Sequence, residues 1–194
     1  MWDLGQVLVD VDFDRFLQPI AAELRVSVEA LRAVAVDGPD KGFLDRGRLA
    51  PTAFAERVQA AVGRPGRLEA AVFLRYWASI FEARPGAARW LPKLGRTHEQ
   101  WLLSDTDPVH FLRCHHDVPW LQGLDRFVLS YQTGRLKVDP GAFDEFADEV
   151  ARRDVLFWDD RADNVAAARS AGLKAHVFTT WAAWEAEFGG ALSA

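Results

Sequence analysis

VLFWDDRADNVAAARSAGLKAHVF, residues 155–178, changes its hydrophobic period twice, and those changes decide the fold. The run 155–158 is apolar and short, as a buried strand is. Asp159 and Asp160 end it, 164–172 carries an Ala-rich helical pattern, and 174–178 returns to strand-forming residues. The same alternation continues upstream. EQWLLS (99–104) is a strand candidate, PVHFLRCHH (108–116) a helix, RFVLS (126–130) a strand and PGAFDEFADEVARR (140–153) a helix. Strands alternating with helices make a parallel sheet covered on both faces. Ligands bind such sheets outside the carboxyl ends of the strands. That rule selects Ser104, Asp105, Thr106, Asp107, Ser130, Asp159 and Asp160 for inspection.

Residues 14–85 differ, because their patterns are helical throughout. Phe13, Phe16, Leu17, Ile20, Ala21 and Leu24 recur at helix spacing, as do Phe54, Val58, Ala61 and Val62. VDGPDKGFLDRGRL (36–49), rich in Gly, Asp and Pro, predicts a loop between helices. A further helix is predicted over 68–81, stopped before Pro85. The domain expectation is therefore an α/β core from 1–13 and 86–194, with an all-helical insertion at 14–85.

At 194 residues the chain can bury a sizeable core. No apolar run approaches the roughly 20 residues that span a bilayer, so no membrane partner is expected. The first residues lack the pattern of a secretory signal, and a cytoplasmic location is the expectation. The net charge of −5 argues against a nucleic-acid partner, whose phosphates need clustered Lys and Arg. Cys114 is the sole cysteine, which rules out an internal disulfide and a cysteine zinc cluster. The eight Trp show no common period, and most of them read as packing residues. Oligomeric state is left open.

Asp3 in WDLGQVLVD, Ser104 in WLLSDTD, Lys137 in TGRLKVDP, and Asp159, Asp160, Asp163 and Asn164 in WDDRADN come in an order and spacing that resembles the haloacid dehalogenase (HAD) superfamily. More narrowly the chain resembles its phosphatase branch with a small helical cap. The segments DRGRL (45–49), RYWASIFEARPG (75–86) and SDTD (104–107) look similar to sugar-phosphate phosphatases of the alpha-D-glucose-1-phosphate phosphatase type. The resemblance covers essentially the whole chain. It implies a Rossmann-like, HAD-like core with an inserted cap, and a Mg2+-dependent hydrolysis of a small phosphorylated metabolite.

By that resemblance Asp3 is the nucleophile, forming an aspartyl-phosphate that water hydrolyses. Mg2+ would sit on Asp3, Asp160 and the Gly5 carbonyl, sharing the charge of carboxylate and phosphate. Asp159 and Asp163 would support the metal's waters or Lys137. Ser104, Asp105 and Lys137 would bind the phosphate, and Ser104 and Lys137 would stabilise developing charge. A lone Ser after a strand is usually a cap, and DDxxDN can do no more than cap a helix. The four motifs in order are far more specific than any one.

Two departures stand out. Gly5 occupies the position where most phosphatases of this superfamily carry the general acid, a group worth about 10²- to 10⁴-fold. Poor leaving groups should suffer most from its absence, and anomeric sugar phosphates less. The opening strand is also nearly missing, since only Met1 and Trp2 precede Asp3. Either the natural beginning lies upstream, or VLVDVD (7–12) supplies sheet structure by rearrangement. In the latter arrangement Asp10 would be the nucleophile and Asp12 the acid. Asp3 is preferred, because DLGQVLVD matches residue by residue. Two rival functions remain: a dehalogenase using Asp3 without metal, and a weakly catalytic ligand- or partner-binding protein. The pair Asp159-Asp160 argues for metal and so against the dehalogenase. His98, His110, His115, His116 and His176 form no ligand set, and Arg46, Arg48, Tyr76 and Trp77 are minor candidates for substrate contact.

Overall fold

A computed structural model of the chain describes residues 1–152 and 154–190. The chain leaves segment 1–3 through a turn into β1 (Val9–Val11). Helices α1 (Asp14–Leu24), α2 (Val28–Ala35), α3 (Pro39–Asp45), α4 (Pro51–Ala61) and α5 (Ala70–Trp77) follow, and then β2 (Phe81–Ala83). The rest alternates: α6 (Pro85–Leu94), β3 (Trp101–Ser104), α7 (Pro108–Asp117), β4 (Arg126–Leu129), α8 (Ser130–Thr133) and α9 (Ala147–Arg152). It ends with β5 (Leu156–Asp159), α10 (Ala162–Ser170), β6 (Lys174–Val177) and α11 (Trp181–Trp184).

β3 pairs in parallel with β4, and β5 with β6. Between the two pairs lies segment 1–3. Trp2 bridges to Leu102 on one side and Trp158 on the other. The Trp2 amide donates to Trp101 O, the Leu103 amide to Trp2 O, and the Asp3 amide to Trp158 O. The order across the sheet is thus β4, β3, segment 1–3, β5, β6. A strand's role is met by a few residues because both neighbours supply the ladder.

Alternate residues feed opposite faces, as a pleat requires. Trp2, Leu102 and Trp158 join one apolar cluster with Trp90 and Trp184, while Met1, Trp101, Leu103 and Phe157 join another with Val165 and Ala168. The Trp2 and Trp158 rings stack at 4.5 Å. A third cluster belongs to the inserted helices, where Phe16 and Phe54 pack on Trp77 and Phe73 packs on both of them. The expected Rossmann-like α/β sheet with an inserted helical cap is what the chain adopts, and the tryptophans pack as expected.

Three local expectations are corrected. Within 36–49 the chain forms α3 rather than a loop, because Pro39 sits at the first helical position where its fixed φ helps and its missing N–H costs nothing. The helix expected over 68–81 stops at Trp77, and Phe81 belongs to β2, because the Asp12 amide captures Ile80 O and Val11 pairs with Phe81. The helix expected over 140–153 shortens to a 3-10 turn (Asp144–Phe146) and α9, since Gly141 takes φ +73°. Arg153 lies outside the described residues. VLVDVD does form sheet structure, but as an antiparallel ribbon with β2 at the base of the cap.

In line with segment 1–3, a cavity of about 330 Å3 opens between the amino ends of β3 and β5, walled by Met1, Leu94, Glu99, Trp101, Asp154 and Leu156. The Met1 amino group donates to Leu156 O, and burial lowers its pKa to about 5. A few alternating apolar residues placed before Met1 should continue the ladder and fill the cavity. Each kcal/mol so gained shifts Tm by about 2–4 °C in a chain this size, so a rise of roughly 5 °C or more is expected in a thermal melt. An unchanged Tm would mean the cavity does not accept a strand.

Candidate active site

The loops after β3 and β5, segment 1–3 and the turn before Asp139 converge at the carboxyl edge of the sheet. Asp3 is the first residue beyond the Trp2 bridge, Ser104 ends β3 and Asp159 ends β5. Lys137 comes from the loop after α8, and its ammonium lies between two carboxylates. It donates to Asp3 Oδ1, and to Asp159 Oδ2 at 2.6 Å. Lys137 is 2 % exposed and Asp159 fully buried, so these charges meet away from water. One ammonium serves two carboxylates, and the group carries excess negative charge.

That imbalance appears in the protonation equilibria. Burial raises the Asp3 carboxyl to about 7, opposed by Lys137 and reinforced by Asp159. Burial alone would lower the Lys137 ammonium, but Asp3, Asp105 and Asp159 hold it above its ordinary value. Asp105 and Asp160 are both raised, chiefly by burial.

Asp159 has no free valence. Oδ1 accepts from the Arg161 amide at 2.9 Å and from Asn164 Nδ2 at 3.1 Å, while Oδ2 accepts from Lys137 and the same amide nitrogen. Asp160 is half-buried beside it. Oxygens of Asp3, Asp159 and Asp160 lie within 4.8 Å of one another, a grouping that could hold a cation. An all-oxygen carboxylate set suits a hard divalent ion such as Mg2+, which takes one or two carboxylates and fills the rest of its octahedron with water and substrate oxygens. With Asp159 committed to Lys137 and Asn164, Asp3 and Asp160 are the acids left to face it. Gly5 follows in the turn after Asp3.

Asp105 does more than the sequence suggested. Its carboxylate accepts from the Lys137 amide at 2.9 Å, pinning the loop that carries the lysine. Asp107 turns away altogether. It caps α7 through the Val109 and His110 amides and is fully buried. Its Oδ2 meets His110 Nδ1 at 2.8 Å and accepts from Trp77 Nε1 at 3.0 Å. Burial opposes ionisation there, yet the charge and hydrogen bonds of His110 hold Asp107 well below the usual carboxylate range.

Not every candidate joins the cluster. Asp163 is half-exposed and pairs with Arg161 at 2.6 Å, so it does not reach Lys137. Asp10 pairs with Arg84 at 2.7 Å on the ribbon, and Asp12 caps the Asp14 amide at 2.9 Å, both exposed. Neither is near Asp3 in the acid grouping, so the alternative pair Asp10/Asp12 is not assembled. Arg46 and Arg48 bond to the core at Asp139 and Gly134 O. Trp77 is buried in the cap, and His110, left unassigned by the sequence, is its partner. Asn164 is the residue underrated by sequence reasoning. Its spacing of five from Asp159 across a helix start was the available signal.

No protein-family model matches the chain. Solved structures show its fold. It is similar to a HAD family enzyme from Bacteroides thetaiotaomicron (TM-score 0.81, 20 % identity, 96 % of each chain covered). A further structure of that enzyme is a complex with magnesium and inorganic phosphate (TM-score 0.70, 19 % identity, 92 % of each chain). It is also similar to the L-2-haloacid dehalogenase from Xanthobacter autotrophicus with chloropropionic acid covalently bound (TM-score 0.64, 16 % identity, 100 % of this chain and 82 % of that one). At these identities the likeness establishes a HAD-like fold.

Proposed function

We propose that the chain is a HAD superfamily hydrolase of the phosphatase branch, acting with Mg2+ on a small phosphorylated metabolite, with a sugar phosphate favoured. The observation that carries this reading is the buried set Asp3, Lys137 and Asp159 with Asp160 beside it. A site for dianionic phosphate needs one ammonium, a nucleophilic carboxylate and further oxygens for a cation, and these residues supply all three. The magnesium and phosphate complex of the Bacteroides enzyme agrees with it.

In this reading Asp3, Asp160 and the Gly5 carbonyl would hold Mg2+, which would supply neutralisation of the negative charge gathered there. Asp3 attacks phosphorus in line, the P–O bond to the leaving group breaks as the carboxylate–phosphorus bond forms, and water then cleaves the aspartyl-phosphate. Lys137 stabilises negative charge shared by Asp3 and the phosphoryl oxygens, and Asp159 and Asn164 keep its ammonium on target. Ser104, at the end of β3, binds a phosphoryl oxygen, and Asp105 fixes the backbone of Lys137. With Gly5 in the general-acid position, the leaving group must carry much of its own charge, which favours anomeric phosphates.

A second reading, dehalogenation, draws on the Xanthobacter likeness. Asp3 would then displace halide without metal, and the acid pair Asp159-Asp160 would have no cation to serve. The test is release of phosphate from a panel of sugar phosphates, and of halide from chloropropionate, each with and without Mg2+. Metal-dependent phosphate release supports the proposal. Halide release that ignores Mg2+ would replace it, and release of neither from folded protein would leave the binding-protein reading in front.

A further inference from the structure

Beside the Trp77 contact with α7, the cap touches the core through residues 45–48 at the end of α3, and these contacts reach the two loops that carry the site. Arg46, the residue after α3, forks onto Asp139 with Nε to Oδ2 and Nη2 to Oδ1, each at 2.7 Å. Asp139 Oδ2 also accepts from the Leu136 amide at 2.8 Å, and the Asp139 amide donates to Leu136 O at 2.9 Å. This carboxylate therefore closes the turn 136–139, in which Lys137 sits. On the other side, Ser130 Oγ lies 2.6 Å from Asp45 O and accepts from the Thr106 amide at 2.8 Å, joining the cap to the loop of Ser104 and Asp105. Between them Gly47 takes φ +65°, and a Cβ there would collide with Tyr131 O. Only glycine allows the two backbones to press together so closely.

We propose that Arg46 is a positioning residue: by gripping Asp139 it holds the 136–139 turn, and seating of the cap thereby sets the Lys137 ammonium between Asp3 and Asp159. Lys137 has a second restraint, its amide on Asp105, so Arg46 and Asp105 hold the turn from its two ends. Arg46 touches neither Asp3 nor Lys137. Its effect travels through one bidentate ion pair and one turn, where a fork geometry matters more than charge alone.

The kinetic half of this proposal rests on the phosphatase reading; the mechanical half stands on the hydrogen bonds. The experiment compares wild type with Arg46→Met, Arg46→Lys, Asp139→Asn and the Arg46→Met/Asp139→Asn double variant. Amide exchange at Leu136 and Lys137 should quicken roughly tenfold or more in Arg46→Met, as for loss of one charge-assisted hydrogen bond. kcat for the best phosphate ester should fall about 10- to 100-fold, the scale of a misplaced catalytic group, with KM changed much less. Arg46→Lys should fall between, and the double variant should be no worse than the worse single. Unaltered exchange at Leu136 and Lys137 would overturn the proposal. So would faster exchange with full kcat, or a loss of Tm with kcat per folded molecule retained. If wild type turns over no phosphate ester while exchange still quickens, the mechanical coupling holds and the phosphatase reading is what fails.

Discussion

Asp3→Asn is expected to lower phosphate release by at least roughly 10³-fold, the scale on which loss of a covalent nucleophile is felt, and to leave the fold intact. The two effects separate because the same carboxylate is useful to chemistry and costly to folding. Burial raises its pKa to about 7, so the folded protein holds this proton over a range in which the unfolded chain, near the ordinary value of about 3.9, has released it. Between those two values the folded state binds more protons than the unfolded one. Wild-type stability contributed by Asp3 therefore falls as pH rises from about 4 to 7. Asn carries no such charge and keeps an oxygen for Lys137, whose bond to Asp159 is unaffected. In metal-free buffer the variant should melt with wild type at acidic pH and at or above it at neutral pH. Added Mg2+ should raise the Tm of wild type more than that of the variant, because a bound ion stabilises in proportion to its affinity. A variant that retains release while its fold is sound would take the nucleophile away from Asp3. One that melts well below wild type at neutral pH would show that the carboxylate is structural.

The strand ends were legible because their chemistry is local. An apolar run followed by Asp159-Asp160 announces the carboxyl edge of a buried parallel strand, and the same logic located Ser104. Lys137 was placed by motif spacing, and the sheet brings it to Asp3 across 134 residues of chain. What stayed hidden depends on pairing or on long contacts. Two apolar residues before Asp3 look too few for a strand, and their place in the sheet is seen only in the bridges from Leu102 and Trp158 to Trp2. VLVDVD resembles a core strand by composition, but its partner is β2, which itself looked like the end of a helix. Strand preference is decided by such neighbours more than by the residue itself. Asp107 is the instructive case. The order Asp107, Pro108, then His110 at i+3 is a helix start with a ready ion pair. The sequence rule selected it only as a strand-end residue, and the structure makes it the cap of α7.

That buried pair carries the largest expected effect on stability. Asp107 accepts from two helix amides, from the Trp77 indole and from His110, whose other ring nitrogen faces Trp77 O at 2.9 Å. Both His110 nitrogens thus meet acceptors, the arrangement that a doubly protonated ring satisfies. Asp107→Ala removes four contacts at once and leaves His110 Nδ1 and the Trp77 indole N–H without their acceptor. Breaking a buried ion pair on one side costs roughly 3–5 kcal/mol, and loss of the helix cap about 1 kcal/mol more. At about 2–4 °C per kcal/mol, Tm should fall by roughly 10 °C or more. Because Trp77 ends α5 while Asp107 begins α7, the loss should loosen the cap and the SDTD loop together, and turnover should decline with it. The pH dependence has a definite sign. The Asp107 carboxyl is held below its ordinary range in the folded state, so its stabilisation is complete above about 4 and is lost as pH falls through the folded value. Asp107→Asn, which keeps an oxygen for the helix amides, should therefore be less stable than wild type near neutrality and approach it in acid. If replacing both partners, as Asp107→Asn with His110→Leu, costs less than Asp107→Ala alone, the damage in the single variant comes from the stranded charge. If it costs as much or more, the packing of these side chains between cap and core is what matters, and the ion pair adds little.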